Sequence, residues 1–456
     1  MTRRSAPPRR RKPTGPRELA LQILAAADSR RAYSDRLLES RLRDSGLDPR
    51  DAALVTTLVQ GTLRHRALLD HHLAALTGPR WDELPLWIRE ALRLGALQIL
   101  VLTRVPRSAA VDESVKLAKK YGHPGTAGLV NAVLRRLAGG ALAPLPDEAA
   151  DPAGRLAVEH SHPRWLVDRW IARWGAAEAA QLLQADNVEP RLSVRANGAR
   201  TTTEALAASL RKEGFAVEPG PNRGPVLLVG EGFTAARSPL FRSGLLSLQD
   251  EAEACVVPLL DPRPGHRALD MAAAPGGKTS QIAEAVAPKG SVVALERTWS
   301  RARALQSNLL ERLRLSRAWT VCADATQAPV RGPFDRVLVD APCSGLGVLR
   351  RRADARWRKE PHAISEMAAL QRAILEAAAP LVGAAGVLVY SVCSLEAEEN
   401  EAIVTPFLDR HPEFALDDAH PFLPTAFHGP AHDRFFRALP HVHGTDGVFA
   451  ARLVRR

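Results

Sequence analysis

The stretch Ala268-Leu-Asp-Met-Ala-Ala-Ala-Pro-Gly-Gly-Lys-Thr279 constrains the fold of this chain more than any other. A short apolar run ends in Asp270 and a turn of small residues follows. Lys278, Thr279 and Ser280 then open a segment that is apolar at Ile282, Ala283, Ala285 and Val286. The pattern predicts strand, loop and helix start, the first βα unit of a parallel sheet. Pro275-Gly276-Gly277 allows close approach of backbone to a ligand, because glycine has no Cβ and tolerates positive φ. Such a ligand lies outside the carboxyl end of the strand, near the helix N-terminus. The dinucleotide pattern G-x-G-x-x-G does not fit, since only two adjacent glycines are present. The phosphate loop fits at Gly277-Lys278-Thr279, but Ala272 stands where its first glycine belongs. Taken alone, the loop also suits a generic turn of an α/β sheet.

The 456 residues provide for two to three domains. A hydrophobic fraction of 46% and a charged fraction of 25% are those of a globular protein. The net charge of +12 is carried mainly by arginine, which binds phosphate through two parallel hydrogen bonds and stacks on bases. A polyanion is therefore the first partner to expect, although a solvated basic face gives the same composition. Cys255, Cys322, Cys343 and Cys393 form no C-x-x-C pair, which predicts neither a zinc site nor any other metal centre. They are too scattered for a disulfide framework, which suits a reducing cytoplasm. No apolar run reaches the ~18 residues of a membrane helix, and no apolar region follows the Arg-rich N-terminus as in a secretory signal. The expectation is a cytoplasmic protein without membrane contact.

Residues 1–16 are Arg- and Pro-rich with little to bury, and are expected to form a disordered basic tail. Residues 17–140 read as helical. Leu19, Ile23, Leu24 and Ala27 share one face, as do Leu54, Val55, Leu58 and Val59, and then Ile88, Ala91, Leu92, Gly95 and Ile99. Residues 141–155 have the composition of a linker. Residues 156–250 read as a small α+β region, with a helix around Trp170 and Trp174 and strands near 190–197, 215–217 and 226–229. From 251 to 456, strands expected at 268–270, 291–296, 318–322, 336–340, 386–390 and 448–454 alternate with helices, the pattern of a doubly wound sheet.

Carboxylates fall at or beyond successive strand ends: Glu296, Asp324 and Asp340. A carboxylate after the second strand suits a ribose diol. Asp324 suits an adenine amino group, and Asp340 a cationic amine. A ligand with adenosine and an ammonium but no phosphates matches S-adenosylmethionine better than a nucleoside triphosphate. Cys343, in Asp340-Ala-Pro-Cys-Ser-Gly345, and Cys393, in Tyr390-Ser-Val-Cys-Ser394, stand on the same edge. Two cysteines in polar turns beside that site point to thiolate chemistry.

The glycine loop, the Asp-Ala-Pro-Cys-Ser-Gly turn and the second Cys-Ser turn together resemble the RNA (cytosine-5-)methyltransferase family, in the branch acting on bacterial small-subunit ribosomal RNA. The front end, at Val105–Gly122 and Gly128–Leu134, resembles the NusB-type RNA-binding domain. The resemblance runs in order from about Arg17 to the closing Asp446-Gly-Val-Phe-Ala-Ala-Arg-Leu453. It implies a multidomain chain with an all-α NusB-like N-terminal domain, a small α+β substrate-binding region and a C-terminal α/β Rossmann-like class I methyltransferase domain. It implies S-adenosylmethionine as cofactor, held by Ala272, Ala273, Ala274, Pro275, Gly276, Gly277, Lys278, Glu296, Asp324 and Asp340. It implies Cys393 as the nucleophile on cytosine C6, Cys343 assisting release and Asp340 stabilising the developing charge. The expected partner of this monomeric enzyme is RNA, with Arg350, Arg351, Arg352, Arg356 and Arg358 as candidate phosphate contacts. The chain departs from the family pattern at Ala272, where cysteine is common, at Glu296, where aspartate is usual, and at Val392, where threonine is common. The same chemistry on transfer RNA, a non-catalytic ribosome-assembly factor and a phosphate-loop ATPase stay open as alternatives.

Overall fold

The computed structural model describes residues 15–30, 33–235 and 237–456. The expected basic tail lies outside the described residues except for its last two, and Pro16 already begins a helix. The chain forms two compact units, one of residues 1–187 with Arg352–Arg358, the other of Val188–Arg351 with Lys359–Arg456.

The first unit is helical. Helices span Pro16–Arg30, Ser34–Arg43, Pro49–Arg64, Arg66–Thr77, Leu86–Leu100, Arg107–Tyr121 and Pro124–Ala138. Asp48 starts the third by accepting a hydrogen bond from the Asp51 amide ahead of Pro49, a cap that offsets an orphan donor. Helix Leu86–Leu100 is buried along nearly its whole length, so the others assemble around it. Leu19, Ile23, Leu58, Val59, Ile88, Leu92, Val130 and Leu134 share this core.

The expected linker ends in structure. Asp151 accepts from the Gly154 amide and starts helix Pro152–Glu159, followed by helices Arg164–Trp174 and Ala176–Ala185. By their contacts these group with the helical unit and not with the strands that follow. Trp170 is fully buried there, so its role is packing.

The segment Arg352–Arg358 completes this unit. Arg356 is fully buried. Its guanidinium donates to the Ser161 and Asp186 carbonyl oxygens at 3.1 Å each and to Asn187 Oδ1 at 2.8 Å. Burial lowers its pKa to about 10, against the pull of Asp186. Trp357 Nε1 donates to the Leu63 carbonyl at 2.7 Å, and Asp354 accepts from the Ser34 amide at 2.9 Å.

Among the described residues the second unit holds two sheets. The smaller is antiparallel in the order β2-β3-β1-β4, from β1 (Leu192–Ala196), β2 (Val217–Pro219), β3 (Leu227–Val229) and β4 (Leu246–Leu248). Helix Thr203–Lys212 packs on it through Leu206 and Leu210. The larger comprises β5 (Arg267–Asp270), β6 (Ser291–Glu296), β7 (Ala318–Cys322), β8 (Phe334–Asp340), β9 (Val382–Val392), β10 (Phe414–Asp417), β11 (Phe436–Ala438) and β12 (Val448–Arg455). Its order is β10-β12-β9-β8-β5-β6-β7, with β11 paired to β12. Strands β5 to β9 run parallel, and β12 lies antiparallel on β9. The near-continuous apolar runs of β5, β6, β8 and β9 are those of strands covered on both faces, whereas β7 is at the edge with Trp319 exposed. The order reverses between β5 and β8, which opens a crevice at their carboxyl ends.

Arg195 ties the small sheet to helix Gly277–Val286, which follows β5. It is buried and donates to Glu284 at 2.6 and 2.9 Å, to Gln249 at 2.9 Å and to Ser280 at 2.9 Å. No helix among the described residues is long and apolar enough to cross a membrane.

Arg356→Ala is expected to destabilise the helical unit by about 3–5 kcal/mol, because it strips the partner from a buried polar cluster. Arg352→Ala, at an exposed position, should stay within about 0.5 kcal/mol of the parent. Hydrogen exchange of the amides around Trp170 measures both.

Candidate active site

The β5 loop is closed from within. Asp270, buried at the end of β5, accepts a hydrogen bond from Thr279 Oγ1 at 2.7 Å, so the two ends of the loop are joined. Burial raises the Asp270 pKa to about 7, with Thr279 acting against it. Met271 N donates to the Leu338 carbonyl at 2.9 Å and Ala273 N to the Leu295 carbonyl at 2.8 Å, so the loop prolongs the strand ladder. Gly276 has φ +103°, and a Cβ there would stand 2.6 Å from Leu305 Cδ1. Gly277, the first residue of helix Gly277–Val286, has ordinary space around it, so the requirement for glycine falls on position 276.

Glu296 ends β6 and is buried. It accepts from the Thr298 amide at 2.8 Å and pairs with Arg301 at 3.4 Å. Arg301 in turn donates to the Ala274 carbonyl at 2.8 Å, which couples this carboxylate to the glycine loop. Asp324 follows β7 and accepts from the Thr326 amide and hydroxyl through Oδ1, which holds its pKa below the usual range. Its Oδ2 stands 3.5 Å from Arg297.

Asp340, at the end of β8, joins two loops. Its Oδ2 accepts from Lys278 Nζ at 2.9 Å and its Oδ1 from Ser391 Oγ at 2.7 Å. Lys278 also pairs with Glu253, from the short helix Glu251–Ala254. Burial alone would lower the Lys278 pKa, but Asp340 and Glu253 outweigh it and hold the ammonium charged. Burial raises the Glu253 pKa against the pull of Lys278. A lysine held by two carboxylates is committed away from phosphates, which counts against the phosphate-loop alternative.

The two site cysteines meet. Cys343 Sγ and Cys393 Sγ are 3.1 Å apart. The hydrogen bond with Cys343 comes first, then burial, and together they raise the Cys393 pKa well above that of an ordinary thiol. Glu253 and Asp340 add to the shift. Gly347 N donates to the Cys393 carbonyl at 3.0 Å and Gly447 N to the Gly347 carbonyl at 2.7 Å, so the turn before β12 braces the Cys393 turn.

The arginines after this loop are placed differently from expectation. Arg351 donates to Asp446 at 2.6 Å and to Asp250 at 2.7 Å, and Arg350 is buried 4.0 Å from Asp446. Burial raises the Asp446 pKa to about 7, and Asp250 adds to it. Arg356 is buried in the helical unit, which corrects its assignment as a phosphate contact. Arg358 stacks 4.3 Å over the Tyr33 ring and lies 3.5 Å from Asp354. Of the five, Arg352 alone is exposed. The physical reason is that groups of the folded chain claim these guanidinium groups: distant acids for Arg350 and Arg351, carbonyl and amide oxygens for Arg356, and the Tyr33 ring with Asp354 for Arg358.

Sequence reasoning missed Asp270 with Thr279, and Glu253 with Lys278. The first pair had a signal, an acid closing the strand and a hydroxyl nine residues on. Glu253 had none beyond lying in an acidic run.

The donor set suits a methyl donor with adenosine and an ammonium: a cradle at Gly276 that a Cβ would fill, carboxylates at successive strand ends and a committed lysine. Comparison with known proteins agrees. The family model for 16S rRNA methyltransferase RsmB/F matches residues 257–454, that of the NusB family residues 14–139, and that of the RsmF/B-like ferredoxin-like domain residues 162–246. The "Probable ribosomal RNA small subunit methyltransferase B" of Bacillus subtilis (strain 168) is 35% identical over 98% of this chain and 100% of the relative. A protein described in the same words from Synechocystis sp. is 34% identical over 96% of this chain and 98% of the relative. Among solved structures, the crystal structure of PH0851 has a TM-score of 0.81 at 27% identity, covering 96% of this chain and 98% of that one. With the fold, the loop and full-length relatives in agreement, the chain belongs to the 16S rRNA methyltransferase RsmB/F family.

Proposed function

We propose that this enzyme methylates C5 of a cytosine in small-subunit ribosomal RNA through a covalent bond between Cys393 and C6. The observation that carries the reading is the pair of thiols 3.1 Å apart beside the Asp340–Lys278 pair. The methyl donor is S-adenosylmethionine, which when bound supplies an electrophilic methyl group. Ala272–Gly277, Lys278, Glu296, Asp324 and Asp340 are the residues proposed to hold it.

The residues of the chain then have the following tasks. Cytosine C5 is a weak nucleophile. A bond from Cys393 Sγ to C6 breaks the ring's aromaticity and places electron density on C5, which then accepts the methyl group. Cys393 starts as a thiol, because Cys343 and burial raise its pKa, so its proton must leave before attack. Cys343 Sγ is the group within hydrogen-bond reach of that proton. Asp340 accepts from the exocyclic amino group beside N3, and the Lys278 ammonium it holds balances the negative charge that develops on the ring. A base then removes the C5 proton, and the Cys393–C6 bond breaks as the double bond reforms. Cys343 assists this release. The target base is unstacked from its helix or comes from a loop, since the carbon to be attacked is otherwise shielded.

A second substrate, transfer RNA, would use the same residues. It is separated by mapping 5-methylcytosine at base resolution in ribosomal and transfer RNA of cells with and without the gene. Loss of one small-subunit ribosomal site is the expected result.

Three variants test the residue roles. Cys393→Ala should lower methyl transfer by at least about 10³-fold while calorimetry shows S-adenosylmethionine affinity within about twofold of the parent; full activity would remove Cys393 as nucleophile. Cys343→Ala should accumulate a protein–RNA adduct that survives denaturing electrophoresis, and its absence with a substrate RNA methylated by the parent would remove the release role. Lys278→Met leaves Glu253 and Asp340 facing each other without the ammonium, and initial-rate assays should find methyl transfer reduced about 10²-fold.

A further inference from the structure

Glu399 has no part in the chemistry just described, yet its carboxylate stands between the two cysteine turns. It lies on the turn Ala397–Glu399 and is fully buried. Its Oε1 accepts from the Ser344 amide at 2.7 Å and from Gln371 Nε2 at 3.0 Å. Its Oε2 accepts from the hydroxyls of both Ser344 and Ser394. Ser344 directly follows Cys343, and Ser394 directly follows Cys393. Gln371, from helix His362–Ala378, also donates to the carbonyl of Pro342 at 2.9 Å, the residue just before Cys343. Tyr390 on β9 holds the Glu399 carbonyl at 2.6 Å, which fixes the turn from behind.

A buried carboxylate needs its lone pairs filled. Among the described residues no ion pair of Glu399 with a cation is found; four uncharged donors fill its lone pairs. Three of the four belong to the residues adjoining the thiols. A buried network that fills the lone pairs of its central carboxylate resists deformation more than its separate bonds would.

We infer that Glu399 is a positioning residue that clamps the Cys343 and Cys393 turns together and so sets the separation of the two thiols. The inference rests on the proposed use of both cysteines in one reaction. The clamp acts on both turns at once, so its loss disturbs bond formation at C6 and release of Cys393 alike. It does not touch the glycine loop, so cofactor affinity is spared.

Thiol separation is measurable without activity. Phenylarsine oxide, as its hydrate, forms two As–S bonds with a close pair of thiols and releases two waters; a monothiol competes poorly with such a chelate. The full chain should take up one equivalent in the presence of excess 2-mercaptoethanol. In Glu399→Ala that capture should weaken at least about 10-fold and kcat should fall about 10²-fold, with S-adenosylmethionine affinity within about twofold. Glu399→Gln keeps the shape, the amide oxygen accepting from Ser344 N and Gln371 while the amide nitrogen donates to the hydroxyls. It should stay within about threefold of the parent in capture and about 10-fold in kcat. Parent-like capture in Glu399→Ala would overturn the clamp, as would equal loss in the glutamine and alanine variants. If Glu399→Ala does not fold, Ser344→Ala and Ser394→Ala each remove one arm, and unchanged capture in both would overturn the inference. Capture that falls as expected in a protein whose parent methylates no cytosine would uphold the clamp and defeat the proposed reaction.

Discussion

The register of β8 on β9 is the constraint on which the site depends. Asp340 lies opposite Ser391, the Ala341 amide reaches the Ser391 carbonyl at 2.9 Å, and the two side chains are hydrogen-bonded. A slip of one residue would send every side chain of one strand to the other face. With the register fixed, Cys343 comes three residues after Asp340 and Cys393 two residues after Ser391, so the turns beyond adjacent strand ends bring the sulfurs into contact. Because β5 pairs with the other edge of β8, the loop after β5 delivers Lys278 to the same carboxylate.

Charge in the catalytic unit is arranged in small closed sets. Lys278 is shared by Glu253 and Asp340, Arg351 by Asp250 and Asp446, and Arg195 is received by Glu284. Buried sets of this kind add little net stability over apolar packing, but losing one member costs about 3–5 kcal/mol because a charge is stranded. Their value lies in selecting one arrangement. Each joins elements far apart in the chain, and each lies beside the crevice or next to a loop that shapes it.

Much of this could be read in advance. The apolar runs at β5, β6 and β8 are interior parallel strands, with β7 at the edge, and the acids at or just beyond their ends mark the crevice. The Pro-Gly-Gly turn and the two Cys-Ser turns carry their own local signal. Partner choice was not legible. Five arginines within nine residues look like a basic patch when counted, but Arg351 answers to acids 95 and 101 residues away, and Arg356 to groups 169 to 195 residues away. Glu399 was hidden for the same reason, since an acidic run after a turn looks solvent-facing until its donors are known. Strands β10 and β11 lack a clean alternation and were not anticipated, because pairing with β12 selects them more than their own residues do.

The grouping of Arg352–Arg358 with the helices bears on how the protein comes into being. A growing chain emerges from its N-terminal end, and by the time Asn187 is made the sequence of every α-helix of the helical unit has been translated, but not the guanidinium that Ser161, Asp186 and Asn187 share. That group arrives only after β5 to β8 have been translated, at about 5–20 residues per second a wait on the order of ten seconds or more. The front of the chain is thus finished by a piece of its later half, and until that piece is made Ser161, Asp186 and Asn187 have no guanidinium to accept from.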